Sequence, residues 1–182
     1  MNNDTRVKGW NEMIIDLLIL EGASFDGEKV LFGQKIDVVP RCLGTPDQME
    51  NAYYFLDNTV SIHVDQDGCI EFIEVSTDDP LTICCDGQNL SELPQEALLD
   101  FLREKNKNEI QVEENRHSFT FVHISTGLYY DITPEDVEEI IRESKADGVY
   151  GEMKEEIQAD IERAKRPSAI GIGKAQYYTN KE

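Results

Sequence analysis

Positive charge is missing from a long central interval of this chain. No lysine or arginine occurs between Arg41 and Arg103, whereas the same interval contains thirteen aspartate and glutamate residues. Over all 182 residues, 37 Asp and Glu outnumber 17 Lys and Arg, which gives a formal net charge of -20. Nucleic acids and anionic membranes are bound chiefly through lysine and arginine. The composition therefore argues against both as partners and favours a basic protein.

The chain also lacks a hydrophobic run long enough to span a bilayer. The most apolar stretch, Met13 to Leu20, is short, is interrupted by Asp16, and is not followed by a signal-peptide cleavage pattern. These features predict a cytoplasmic protein.

Cysteine is scarce, and its spacing is not that of a metal site. The four cysteines are Cys42, Cys69, Cys84 and Cys85. The adjacent pair Cys84-Cys85 has no C-x-x-C or H-x-x-x-H partner at zinc-ligand spacing. We expect free, largely buried thiols in a reducing compartment and neither a metal nor another cofactor.

The clearest β pattern lies in the first half of the chain. Alternating apolar residues in Tyr53–Leu56, Val60–Val64 and Ile70–Val75, with an Asp67-Gly68 turn, predict an antiparallel meander. Other patterns predict a helix over Trp10–Leu20, an extended segment over Val30–Val39, a helical turn over Asp47–Asn51, a strand over Leu81–Cys85 and a helix around Ala97–Leu102.

The second half repeats part of this pattern. Ser118–Ile124 and Leu128–Tyr130 predict two strands joined by a turn at Gly127. Thr133-Pro134-Glu135-Asp136 predicts a helix start with Thr133 as the N-cap, and a further helix presents Met153, Ile157, Ile161 and Ala164 on one side.

Together these elements predict an α+β fold of antiparallel sheet with flanking helices. We place residues 1–104 in a half containing the acidic meander and residues 105–182 in a half containing the hairpin and C-terminal helices. The two halves are expected to pack as one globular unit, and their partial similarity leaves duplication open.

The candidate binding surface is acidic. If the meander forms, Asp65, Asp67, Glu71 and Glu74 cluster at one hairpin end, and Asp78 and Asp79 follow on the same chain segment. Such a surface would steer a basic protein toward it. The alternative interpretation is a solvated acidic face that serves solubility alone.

Two other patterns are weaker. The run His63-x-Asp65-x-Asp67-Gly68 with Glu74 resembles a calcium-binding loop, but its first position is histidine and its flanks alternate as strands do. His63, His117 and His123 lie in or beside predicted strands without a nucleophile motif, so no catalytic residue is assigned.

Several short segments resemble small acidic bacterial proteins, some of which are immunity proteins of polymorphic toxin systems. The segments are Leu43–Pro46, Tyr53–Phe55, Asp67–Glu74, Gly127–Tyr130, and Gly171–Gly173 with Tyr177-Tyr178. The resemblance implies a non-enzymatic cytoplasmic antitoxin that covers a basic toxin domain such as a nuclease. Tyr53, Tyr54, Tyr129 and Tyr130 are candidate aromatic anchors for such a contact.

Two alternatives stay open on the sequence. One is a small-ligand-binding protein or enzyme with a pocket between the two halves, where the histidines and cysteines converge. The other is a structural module that forms a homodimer through an exposed strand or the C-terminal helix.

Overall fold

The computed structural model describes residues 13–39, 41–77, 81–113 and 116–179, except for the side chain of Cys42. In these residues, strands and helices form the predicted α+β fold. The strands are β1 (Ile14–Leu18), β2 (Gly22–Phe25), β3 (Glu28–Leu31), β4 (Asp47–Met49), β5 (Ala52–Phe55), β6 (Val60–Val64), β7 (Ile70–Ser76), β8 (Thr82–Cys85), β9 (Gln88–Asn89), β10 (Gln111–Val112), β11 (Ser118–Phe121), β12 (Thr126–Tyr129) and β13 (Ala169–Gly173). The helices are α1 (Gln95–Lys105), α2 (Pro134–Ala146) and α3 (Lys154–Arg163).

The strands form two sheets. The five-stranded sheet has the order β3-β2-β1-β8-β9, in which β1 and β8 are parallel. The eight-stranded sheet has the order β10-β11-β12-β13-β7-β6-β5-β4 and is antiparallel throughout. Its strands come from both sides of residue 104, and the C-terminal β13 lies at its centre, next to β7.

One hydrophobic core joins the two sheets and α1. Ile62 and Ile73 of the eight-stranded sheet, Ile15 and Ile83 of the five-stranded sheet, and Leu98 of α1 belong to the same buried cluster. Burying an aliphatic side chain of this size contributes roughly 1.5–3 kcal/mol. This clustering explains why the apolar residues of the meander alternate with residues on the opposite face, which we call the outer face.

A β-bulge in β7 sets which side chains reach the outer face. The β6–β7 register shifts so that His63 pairs with Phe72 while Val64 pairs with Ile70. Glu71 is the extra residue. Ile70 and Ile73 consequently both point into the core, whereas Phe72 and Glu74 lie on the outer face.

Four local predictions are wrong. The segment expected as a helix over Trp10–Leu20 contains strand β1 where it is described, and Trp10 lies outside the described residues. Its Ile15 and Leu17 are buried by strand pairing to β2 and β8, which overrides the helical spacing. The turn expected over Asp47–Asn51 is edge strand β4 paired with β5.

The other two errors concern loops. The extended segment expected over Val30–Val39 ends with β3 at Leu31 and continues as a turn and a 3-10 helix over Ile36–Val38. Gly127 lies inside β12, paired with Thr120. The strand expected over Ser118–Ile124 ends at Phe121, and the turn is made by a 3-10 helix over Val122–Ile124 and by Ser125, whose φ is 45°.

The meander, β8, α1, the Asp67-Gly68 turn, α2 and α3 are confirmed. Thr133 caps α2 as predicted: its Oγ1 accepts a hydrogen bond from the Asp136 N–H at 3.2 Å. Within the described ranges, no helix is both long enough and apolar enough to cross a bilayer.

Candidate functional site

One cross-strand row of residues runs over the outer face of the eight-stranded sheet. Glu74 is at its centre, opposite Ser61 of β6 on one side and Gly171 of β13 on the other. The row continues to Tyr54 beyond Ser61 and to Gly127 beyond Gly171. Ser61 has a short side chain and the two glycines have none, and all three line a depression of the sheet surface together with Glu74.

An aromatic wall borders this depression. Tyr177 stacks on Phe72 with ring centroids 4.6 Å apart and an interplanar angle of 8°. Tyr178 meets Phe72 edge-on at 6.2 Å and Tyr177 at 5.3 Å. These two tyrosines therefore hold the C-terminal segment against the sheet.

Three glycines make room for that wall. A Cβ atom on Gly127 would overlap the Tyr178 hydroxyl, and one on Gly171 would overlap the Phe72 ring. A Cβ on Gly173 would lie 2.6 Å from the Tyr177 Cβ. Close approach of aromatic rings to the sheet thus requires glycine at these positions.

The result is a groove of about 460 Å³ on the outer face. It is lined by Tyr54, Ser61, His63, Phe72, Glu74, Glu113, Ser118, Phe119, Thr120, Gly127, Leu128, Tyr129, Ala169, Gly171, Tyr177 and Tyr178. Two glutamates and no lysine or arginine line it. Its residues come from both sides of residue 104, so the groove is formed by both halves of the chain.

Glu74 is poorly solvated in this groove. Burial raises the pKa of its carboxyl group. In the part of the chain that the structure describes, no hydrogen-bond donor or cation is paired with this carboxylate. A half-buried charge without a partner lowers the stability of the free protein.

The predicted acidic cluster is divided by the structure. Asp65, Asp67 and Glu71 lie at the β6–β7 hairpin end, but Glu74 lies in the groove. Asp78 and Asp79 fall outside the described residues. The bulge at Glu71 and the direction of β7 separate Glu74 from the turn, and these features are invisible in the spacing alone.

The hairpin end is acidic but partly neutralised. Lys174 Nζ lies 3.1 Å from Glu71 and 3.4 Å from Asp65, and the Lys35 ammonium group donates to the Asp67 backbone carbonyl. Asp65 also accepts hydrogen bonds from the N–H groups of Cys69 (2.9 Å) and Asp67 (3.1 Å), which lower its pKa. Asp65 therefore has a structural role in the turn.

The β4–β5 turn adds a further carboxylate. Glu50 lines an open depression with Asp65, Asp67 and Glu71, and no lysine or arginine lines it. The sequence does not single out Glu50, because only the pairing of β5 with β6 brings its turn beside the β6–β7 hairpin.

The histidines do not converge. His117 lies 3.1 Å from Asp136, and His123 lies 2.9 Å from Glu109, on separate parts of the fold. His63 alone lines the groove, where its Nε2 is 3.4 Å from Ser61 Oγ. Both residues belong to strand β6, whose backbone N–H groups are used by the sheet, so the backbone beside this pair supplies no oxyanion-binding donors.

The cysteines described are free thiols. Burial raises the pKa of Cys85 to about 11 and also raises that of Cys84. Such thiols are poor nucleophiles at neutral pH. Among the described side chains, no group of three or more histidine, cysteine, aspartate or glutamate residues is arranged to bind a metal ion.

The four candidate anchors differ in exposure. Tyr130 is fully buried, at 1% exposure, and packs edge-on against Phe119. Tyr129 is 47% exposed and lines the groove together with half-buried Tyr54. Tyr53 pairs with core residue Ile62 and packs against the core.

Phe72, Tyr178 and Glu113 line the groove but are not predicted as site residues from the sequence. One signal was available: Gly171 and Gly173 alternate with Ile170 and Ile172, which marks one face of the strand as free of side chains.

Comparison with protein-family models, curated proteins and solved structures finds no significant match to this chain.

Proposed function

We propose that this protein is a non-enzymatic binding module for a basic protein, which it contacts through the outer face of the eight-stranded sheet and the adjoining hairpin end. The observation that carries the proposal is the set of residues that line the groove and the open depression at the hairpin end. Together they present Glu50, Asp65, Asp67, Glu71, Glu74 and Glu113 and no lysine or arginine.

Some acidic side chains elsewhere lie beside cations, whereas no lysine or arginine lines the groove or the adjoining depression. On α2 and α3, Arg142 pairs with Glu139, Arg163 with Asp160, and Lys165 with Glu162. A face rich in unbalanced carboxylates creates a directional field, and such a field accelerates association with a basic surface.

Aromatic side chains at the same face supply desolvated contact area. Tyr54 and Tyr129 are accessible in the groove and are rigid, amphipathic side chains typical of interface anchors. The resemblance to immunity proteins indicates the class of partner: a toxin domain whose basic surface binds nucleic acid. In that role the protein acts in the cytoplasm and blocks the toxin by covering this surface.

A ligand-binding function is the second candidate, since the groove is concave and formed by both halves of the chain. Catalysis is less compatible with the geometry. The Ser61–His63 contact of 3.4 Å is long, and the backbone N–H groups of β6 are used in strand pairing.

Partner capture from the source cell's lysate tests the main proposal. Three baits are compared: the wild type, Glu50→Lys/Asp67→Lys at the hairpin end, and Glu155→Lys/Glu156→Lys on exposed α3. The two variants change the net charge equally. We expect a basic protein to bind the wild type and the α3 variant, to be lost with the hairpin variant, and to elute when salt is raised from about 0.05 M to about 0.5 M.

The captured protein is then expressed with each bait. If it is a toxin, the wild type and the α3 variant restore growth and the hairpin variant does not. Equal capture by all three baits would show that net acidity alone is responsible and would contradict the proposal.

A further inference from the structure

The position of Glu74 identifies the group that the groove is suited to bind. A carboxylate half-buried on a sheet surface is costly unless a cation or hydrogen-bond donors compensate it. Within residues 13–39, 41–77, 81–113 and 116–179, neither is paired with it. A cationic donor from outside the described residues would compensate this charge.

The surroundings of Glu74 leave space for that donor. The Phe72 ring and the Tyr178 hydroxyl occupy the space above Gly171, but the short side chain of Ser61 lies on the other side of Glu74, and both Ser61 and Glu74 line the groove. The Ser61 hydroxyl is engaged with His63. The pKa of Tyr178 is raised mainly by burial and also by Tyr177 and the charge of Glu74, in keeping with a position close to the carboxylate.

The walls favour a flat cation over a compact one. Tyr54 lies at one end of the Glu74 row, and the stacked rings of Phe72 and Tyr177 stand beside it with Tyr178. A guanidinium group stacks on aromatic faces and donates two parallel hydrogen bonds to a carboxylate. A lysine ammonium group is a compact, strongly hydrated charge without this planar match.

We propose that the outer-face groove binds an arginine side chain of the basic partner, with the guanidinium group on Glu74 and its plane against the aromatic side chains of the groove. The inference rests on the proposed function and specifies how the partner is anchored. Arginine is common among the residues that dominate binding energy at interfaces, because a buried, paired guanidinium is difficult to replace.

Hexa-arginine and hexa-lysine peptides are suitable probes, since they have the same charge and differ in the shape of the cation. Binding to the full chain is followed by amide chemical shifts in NMR titrations. We expect hexa-arginine to bind several-fold more tightly than hexa-lysine and to shift the amides of Ser61, Glu74 and Gly171 most.

Glu74→Gln keeps the shape of the side chain and removes its charge. It should weaken hexa-arginine binding about tenfold, the scale of one charged hydrogen bond. Glu155→Gln removes the same charge from α3 and should change the affinity less than about twofold. Tyr54→Ala should weaken binding and Tyr54→Phe should preserve it, because the ring rather than the hydroxyl is in contact with the cation.

The arginine site would be overturned if Glu74→Gln and Glu155→Gln lost hexa-arginine affinity equally. It would also be overturned if the wild type bound hexa-arginine and hexa-lysine with equal affinity. The proposed function is tested separately by the captured partner. If Glu74→Gln retains the partner and the hairpin variant loses it, the arginine site is wrong and the binding module stands. If hexa-arginine binds at Glu74 and all three baits capture the same proteins, the site stands and the proposed function is wrong.

Discussion

Gly127 and Gly171 lie directly opposite each other on β12 and β13, and together they provide the surface over which the Tyr178 ring lies. The C-terminal segment after β13 therefore docks on the sheet because two paired positions lack a side chain. This pairing couples the last described residues of the chain to the floor of the groove.

A Gly127→Ala substitution tests this coupling. Its Cβ would overlap the Tyr178 hydroxyl, so we expect the ring to be displaced and the free energy of unfolding to fall by about 1 kcal/mol. The measurement is urea denaturation of four proteins: the wild type, Gly127→Ala, Tyr178→Ala and the double variant. In the Tyr178→Ala background, Gly127→Ala should be neutral or stabilising, since alanine is favoured over glycine within a strand. The same cost in both backgrounds would contradict the coupling.

Glu74→Gln should stabilise the free protein at neutral pH. Burial raises the folded-state pKa of Glu74 above its ordinary value of 4.5. A raised folded pKa means that the folded state binds this proton more tightly, so its contribution to stability is present below the unfolded pKa and is lost as pH rises through the folded pKa. Glutamine carries no charge and avoids that loss.

The check is urea denaturation of the wild type and Glu74→Gln at pH 7 and near pH 4. The free energy of unfolding of Glu74→Gln should exceed that of the wild type most at pH 7. The difference should decrease at the lower pH, where wild-type Glu74 becomes protonated. Glu113→Gln, at an exposed position in the same groove, is the control for removing one negative charge from the groove. A destabilised Glu74→Gln at pH 7 would mean that Glu74 is compensated in the free protein.

The fold class and most elements are predictable here because local signals agree with tertiary structure. The capping residues before α2 and the Asp67-Gly68 turn are encoded by a few neighbouring residues. The segment around Ile15 and Leu17 is different, since its apolar residues fit helical spacing as well as alternation. Only the partners of β1, which are β2 and the distant β8, determine that it is a strand.

The candidate site was only partly predictable for the same reason. Glu74 is recognisable as part of an acidic block, but its separation from Asp65 and Asp67 depends on the bulge at Glu71. The cations that neutralise the hairpin end, Lys35 and Lys174, are distant in sequence and meet it only in the folded chain. The interval without lysine or arginine between Arg41 and Arg103 therefore suggests more unpaired negative charge at the hairpin end than the folded chain has there.

The α2 capping box should contribute stability that depends on pH. Asp136 accepts hydrogen bonds from the Thr133 hydroxyl and N–H groups, both at 2.7 Å, and its pKa is lowered mainly by the hydroxyl contact. A lowered folded pKa stabilises the fold above the unfolded value, near 3.8, and this contribution is lost as pH falls through the folded pKa.

Asp136→Asn and Thr133→Ala should each cost about 1 kcal/mol at pH 7, measured by urea denaturation. The cost of Asp136→Asn should decrease below about pH 4, where the wild-type carboxyl group also becomes neutral. Glu139→Gln, at an exposed position on the same helix, is the matched control. An Asp136→Asn cost that does not vary with pH would show that the charge of Asp136 does not stabilise the cap.

Lys174 should limit the electrostatic attraction of the hairpin end for a basic partner. Its ammonium group contacts Glu71 and Asp65, and hydrogen bonding to Glu71 raises its pKa, so the positive charge persists at neutral pH. Lys174→Gln exposes both carboxylates. Because all three side chains are partly exposed, the cost in stability should be below about 1 kcal/mol, while association with hexa-arginine should become faster.

The association rate is measured at low and high salt for Lys174→Gln and for Lys165→Gln. The second variant removes the same charge from Lys165, which follows α3 and pairs with Glu162. At low salt, Lys174→Gln should accelerate association more than Lys165→Gln, because its charge lies beside the binding face. At high salt the two rates should converge, since screening shortens the range of the field to a few ångströms. Equal acceleration at low salt would mean that the partner responds to total charge, and the hairpin end would then have no special part in steering it.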